Sequence, residues 1–232
     1  MSRSVLITGA NRGIGLQMVR QSVKNGWRVY ACCRQPGAAD ELIKVASLTP
    51  GQVSVHVLDI AETAQIQALA YELRNTPIDW LINNAGVYGS AEHQFGKTDE
   101  QNWLTTFRIN TIGPMKMTEA FIDNLESGSE KKVVTLSSKM ASMADNSSGG
   151  SYIYRSTKAA LNAVIKSLSI DLKSRNISVV AMHPGWVKTD MGGPNAEIDT
   201  QESVVNIFNI VETSGMQDSG AFYDIDGTII AW

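Results

Sequence analysis

A doubly wound α/β fold, a parallel sheet of about seven strands covered by helices on both faces, is predicted by three observations. Short apolar, β-branched runs recur along the chain and alternate with stretches of helical period, the pattern that parallel pairing through helical crossovers requires. The first run, Ser4-Val5-Leu6-Ile7-Thr8, passes directly into a glycine-rich turn and then a helix. The 232 residues, 43% hydrophobic and 19% charged, supply enough core for one domain over 1–232, and no internal repeat or linker interrupts them.

After the first strand come Gly9-Ala10-Asn11-Arg12-Gly13-Ile14-Gly15, then Ile14, Met18, Val19 and Val23 at helical spacing up to Gly26. Strand, glycine turn, helix is a diphosphate-binding arrangement. The glycines let the backbone approach the anion, and the helix N-terminus offers free N–H groups and a positive dipole end. A plain turn has the same local composition.

Arg28 to Arg34 is the second strand, and the residues after it select the dinucleotide. An acid about 20 residues beyond the glycines would hold a free ribose 2′-hydroxyl. Here the position carries Arg34, and the first acid beyond it is Asp40. Arg12 and Arg34 together suit a 2′-phosphate, so NADP(H) is the expected cofactor; the bland alternative is two solvated surface charges.

A short helix over 40–48 precedes the alternating strand Val53 to Asp59, whose carboxyl end places Asp59, with Ile60 next to it, where an adenine would lie. His56 reads as an ordinary strand histidine. A helix over 63–74 leads to the strand Ile78 to Ile82, which ends in Asn83-Asn84-Ala85-Gly86, suited either to a close cofactor approach or to a simple turn. Thr98-Asp99-Glu100-Gln101 resembles a capping box and opens a long helix to about Leu125. Inside it, Pro114 removes the donor to the Asn110 carbonyl and opens that turn. The freed carbonyl can hold a water, or the helix is merely kinked.

Lys132 to Ser138 is the fifth strand, and alternation lets only one of Ser137 and Ser138 face a given side. A Ser-, Gly- and Met-rich loop delivers the chain to a helix over 152–173 bearing Tyr154 and, one turn on, Lys158. Four-residue spacing puts phenol and ammonium on one face. A unit charge about 5 Å away at an effective dielectric near 20 favours the phenolate by roughly 3 kcal/mol. The pair therefore predicts a tyrosine made acidic enough for proton transfer. Tyr152 is a rival phenol, but its partner four residues on is Ser156. The strand Ile177 to Met182 is followed by His183-Pro184-Gly185-Trp186-Val187-Lys188-Thr189, then a helix near 200–213 and a last strand near 220–223.

Charge and cysteine usage exclude other classes. With 20 basic against 23 acidic residues, a net charge of -3 and no long single-sign run, nucleic acid and anionic membrane are not expected partners. Val5-Leu6-Ile7 is too short for a signal peptide and no stretch approaches a spanning length, so no membrane association is expected. The adjacent Cys32 and Cys33 point to opposite faces of a strand and cannot bridge, which fits a reducing cytoplasm.

Together, Thr8-Gly9-x-x-x-Gly13-Ile14-Gly15, Asn83-Asn84-Ala85-Gly86, Asn110, Ser138, Tyr154-x-x-x-Lys158 and Pro184-Gly185-x-Val187-x-Thr189 resemble the short-chain dehydrogenase/reductase family. The wording around Pro184 looks closest to its C-factor and sniffer-like carbonyl reductases. The resemblance implies a Rossmann-type sheet in strand order 3-2-1-4-5-6-7 and a catalytic tetrad of Asn110, Ser138, Tyr154 and Lys158. It implies NADP(H) contacts at Gly9, Asn11, Arg12, Gly13, Ile14, Arg34, Asp59, Ile60, Asn84, Ala85, Gly86, Tyr154, Lys158, Pro184, Gly185, Val187 and Thr189, with no metal. The substrate would be a small carbonyl or alcohol, and the assembly a homodimer or homotetramer through the helices at 99–125 and 152–173. One departure is the gap from Ser138 to Tyr154, slightly longer than the family's commonest spacing. The alternative is a C-factor-type signalling protein that binds NADP(H) with little turnover. Phe222-Tyr223-Asp224-Ile225-Asp226-Gly227-Thr228 also resembles the nucleophile signature of haloacid-dehalogenase-type phosphatases, but it stands at the wrong end of the chain and reads better as a tight turn.

Overall fold

Seven apolar runs pair in parallel: β1 (Ser4–Thr8), β2 (Arg28–Cys33), β3 (Val53–Val57), β4 (Trp80–Asn83), β5 (Lys132–Leu136), β6 (Ser178–Met182) and β7 (Phe222–Tyr223), in the order 3-2-1-4-5-6-7. The computed structural model describes residues 2–90 and 92–232. The connecting helices are α1 (Gly13–Lys24), α2 (Asp40–Leu48), α3 (Thr63–Glu72), α4 (Glu100–Phe107), α5 (Gly113–Ala120), α6 (Ile122–Ser127), α7 (Tyr152–Asp171) and α8 (Thr200–Thr213).

Strand alternation sorts the core into two layers. Val5, Ile7, Val29, Ala31, Cys33, Ile82 and Val134 face Leu16 and Val19 of α1 and Val204 and Phe208 of α8. Their neighbours Leu6, Tyr30, Cys32, Leu81 and Val133 face Ile66 of α3, Met117 of α5 and Leu161 and Ile165 of α7. Cys32 and Cys33 thus lie on opposite sides of the sheet as buried free thiols. Strand order reverses between β1 and β4, so the crevice at their carboxyl ends is where such a sheet binds ligands.

Several boundaries differ from the sequence expectation. Arg34 lies just past β2 rather than in it, and α7 stops at Asp171 before a short turn at Lys173–Arg175. The long helix expected up to Leu125 is three helices. Asp99, not Thr98, is the N-cap, accepting from the Asn102 N–H at 2.6 Å. After α4 the chain widens into a π turn over Arg108–Ile112, closed by the Gly113 N–H to the Arg108 carbonyl. Pro114 has no N–H to extend the ordinary ladder, and a Cβ on Gly113 would lie 2.9 Å from the Ile60 carbonyl oxygen. The phosphatase-like motif closes on itself: Gly227 takes φ 86 and donates to the Asp224 carbonyl. Among the described residues no helix is long and apolar enough to cross a membrane, and no group of His, Cys, Asp and Glu is arranged to hold a metal ion.

Candidate active site

The turn between β1 and α1 is held open for a ligand. Gly9 and Gly13 take φ 66 and 55. A Cβ on Gly15 would overlap the Gly9 carbonyl oxygen, so only glycine lets α1 start this close to the strand. The N-terminus of α1 has no side-chain cap and no acid in its first turn, which leaves its N–H groups and positive end facing the crevice. Asn84 fixes this turn from β4: its Nδ2 donates to the carbonyls of Thr8 (2.7 Å) and Gly9 (3.1 Å), while the Thr8 hydroxyl accepts from the Asn84 and Ala85 N–H groups at 3.0 Å each.

The result is a cleft of about 690 Å³. Of the expected cofactor contacts, Gly9, Asn11, Arg12, Gly13, Ile14, Arg34, Asp59, Ile60, Asn84, Ala85, Gly86, Tyr154, Lys158, Pro184 and Thr189 line it. Gly185 and Val187 do not. Gly185 faces Ile198 and Ile225, and Val187 is buried where it pairs with Ile198. Both act as backing for the wall. Cys33, Leu58 and Ser137 line the cleft as well; each sits at or just past the carboxyl end of a strand, a signal the sequence contains. Arg12 forms an ion pair with Asp190 across the cleft rather than converging with Arg34.

At the far end of the cleft α7 presents Tyr154 and Lys158, both buried. The Lys158 Nζ donates to the Leu136 carbonyl at 2.7 Å and lies 6.0 Å from the centroid of the Tyr154 ring. The π turn swings Asn110 inward. Its Oδ1 accepts from the Val87 N–H (2.9 Å), and its Nδ2 donates to the Val87 carbonyl (2.8 Å) and Thr157 Oγ1 (3.1 Å). Gly86 borders both groups, for a Cβ there would lie 3.3 Å from Asn110 Oδ1 and 3.5 Å from Lys158 Nζ. The two serines after β5 separate as alternation requires. Ser137 donates to Asn162 Oδ1 at 2.6 Å, whereas Ser138 turns to the Tyr154 phenol. Tyr152 is partly exposed, and Ser156 accepts from Trp103 Nε1 instead.

The titration of the pair runs against the sequence expectation. Burial pushes the Tyr154 phenol up to about 12; the Ser138 hydroxyl opposes this and the neighbouring Tyr88 adds to it. Burial likewise pulls Lys158 down to about 8. Loss of water dominates at both groups, so in this structure the phenol holds its proton and the ammonium is a stronger acid than a solvated lysine. One neighbour is absent from the sequence reading: Tyr88 stacks on Tyr154 with ring centroids 4.6 Å apart and planes at 24°. No pattern in the sequence marks that contact, which depends on how the loop after β4 folds over α7.

Comparison with known proteins agrees with this architecture. Residues 3–199 match the family model described as short chain dehydrogenase. Among curated relatives, C-signal of Myxococcus xanthus is 40% identical over 167 residues, covering 72% of this chain and 100% of that protein. Carbonyl reductase Sniffer of D. melanogaster superposes with a TM-score of 0.94 at 31% identity, covering 100% of both chains. The NADPH-bound carbonyl reductase from chicken fatty liver superposes at 0.93 with 33% identity, covering 100% of this chain and 99% of the other. With sheet order, glycine turn and family model in agreement over most of its length, the chain belongs to the short-chain dehydrogenase family.

Proposed function

We propose that the protein is an NADPH-dependent carbonyl reductase acting on a ketone, aldehyde or quinone. The observation that carries this reading is the gathering of four side chains from three segments: Tyr154 and Lys158 of α7 line the cleft, Ser138 stands at the phenol behind them, and Asn110 borders Lys158 across Gly86. The cleft suits a dinucleotide: an uncapped helix start and a glycine cradle for the diphosphate, and Arg34, with Arg12 held by Asp190, for a 2′-phosphate. When bound, NADPH supplies the hydride that reduces the carbonyl carbon. Tyr154, protonated throughout the neutral range, donates the proton to the carbonyl oxygen. Ser138, beside the phenol, hydrogen-bonds that oxygen and steadies its developing charge. Lys158 holds positive charge near the phenol as it becomes phenolate, and Asn110 fixes the Val87 backbone that borders them. The likeness to two carbonyl reductases supports the substrate class. Exposed Leu104 on α4 and Ile170 on α7 fit assembly through those helices as a homodimer or homotetramer.

Substituting Tyr154→Phe tests the assignment. NADPH binding is expected to survive, while NADPH oxidation across a panel of ketones, aldehydes and quinones falls by about a hundredfold or more. Substantial residual turnover refutes the role of Tyr154. The likeness to C-signal supports a second reading, a signalling protein that binds NADP(H). Tight NADPH binding by the wild type without turnover of any carbonyl would favour it.

A further inference from the structure

Two residues beyond Gly86, the loop after β4 carries Tyr88, whose ring lies on that of Tyr154 at 4.6 Å and 24°. At its far end the Tyr88 hydroxyl shares a 2.8 Å hydrogen bond with Ser151 Oγ. Ser151 is the residue from which α7 starts. It is buried, sits in the left-handed region at φ 48 and ψ 39, and donates its N–H to the His93 carbonyl at 2.8 Å. The His93 ring meets Tyr88 edge-on at 6.3 Å and 88°. Gly89, at φ 91, brings the loop so close to α7 that a Cβ there would lie 3.0 Å from Ile153 Cγ2. Tyr88 is thus fixed at its hydroxyl and along its ring, and lies stacked on a face of Tyr154.

We propose that Tyr88 is a positioning residue for Tyr154: its ring holds the phenol in one orientation and keeps water from that face, and its bond to Ser151 keeps the holding ring in register with α7. A tyrosine on a helix can rotate about two side-chain bonds, and a proton donor must be held within hydrogen-bond reach of the oxygen it serves. Stacked aromatic rings favour one relative placement over free rotation. The groups facing the Tyr154 ring are few. Lys158 comes from its own helix, Ser138 from the segment after β5, and Tyr88 from the loop after β4. Tyr88 therefore acts through Tyr154 and need not touch substrate. The inference rests on the proposed role of Tyr154 for its catalytic meaning, but the orientation and shielding can be measured without any substrate.

The test uses protein in which tyrosines are replaced by 3,5-difluorotyrosine, acidic enough to titrate near neutrality, with the Tyr154 fluorine resonance assigned by its loss in Tyr154→Phe. In Tyr88→Leu the Tyr154 resonance should titrate about one unit lower than in wild type, because water reaches the exposed face. Carbonyl turnover should fall about tenfold with the NADPH Kd unchanged, a kcat effect rather than a KM effect. Tyr88→Phe, which keeps the ring, should restore the wild-type titration and most of the turnover. A Tyr88→Leu protein that titrates and turns over like wild type overturns the proposal. So does one that loses turnover with an unmoved Tyr154 titration, since that would make Tyr88 a substrate contact. Should Tyr88→Leu not fold, Tyr88→Met removes the ring with a more adaptable side chain and is read the same way. If the wild type reduces no carbonyl, the fluorine titration still decides the placement of Tyr154, and only the proposed function fails.

Discussion

Lys158 shows at the scale of one residue how burial and chemistry pull apart. Its amine is drawn from 10.5 to about 8 by loss of water, with the Leu136 carbonyl as its hydrogen-bond acceptor. The folded chain therefore gives up this proton more readily than the unfolded chain. The cost to stability is fully present below about pH 8 and fades as pH rises toward 10.5. Substituting Lys158→Met should raise stability at pH 7 by up to about 3 kcal/mol, measured by urea denaturation, and flatten the rise in stability seen for wild type above pH 8. The same variant should lose most carbonyl turnover; a variant that is no more stable and equally active would contradict both statements. The spacing of Tyr154 and Lys158 was legible in the sequence because four residues make one helical turn. The direction of the phenol's shift was not, since it follows from how completely the loops after β4 and β5 exclude water, and no local pattern encodes that.

Elements carry the next level of the design. The turn from β1 to α1 works because Gly15 has no side chain to collide with the Gly9 carbonyl, while Asn84 Nδ2 would lie only 2.6 Å from a Cβ there. Gly15→Ala should cost about 2 kcal/mol, and lower the melting temperature by about 4 °C, because the clash is with backbone that has nowhere to move. Loss of NADPH affinity should accompany it, and a variant of unchanged stability would show that the turn can relax. Strand and helix positions were largely readable, since period two and period 3.6 leave distinct apolar patterns. The break at Arg108–Ile112 was half readable. Pro114 announced a disturbance, but only packing of Gly113 against Ile60 makes it a π turn that aims Asn110 at Val87 rather than a simple kink.

For the molecule as a whole, the sheet order puts both halves of the cleft on one edge, so a ligand that spans it ties β2, β1 and β4 to the segment after β6. A ligand that binds only the folded state stabilises it by mass action. At about a hundred times its Kd, NADPH should add about 2.7 kcal/mol and raise the melting temperature by about 5 °C. NADH at equal concentration should raise it less, because Arg34 lines the cleft and a 2′-phosphate is the group that distinguishes the two dinucleotides. Arg34→Asp should remove that difference in a thermal melt; an unaltered preference would leave the arginine without the role given to it. Global topology was the most legible feature, because alternation of strand and helix admits few parallel arrangements. The Arg12 to Asp190 pair was the least, as it joins two exposed side chains far apart in sequence.

The Asn84 amide that grips the Thr8 and Gly9 carbonyls leaves the floor of the crevice already in shape before anything arrives. A dinucleotide thus enters a ready berth, and little of its attraction is diverted into ordering the backbone beneath it.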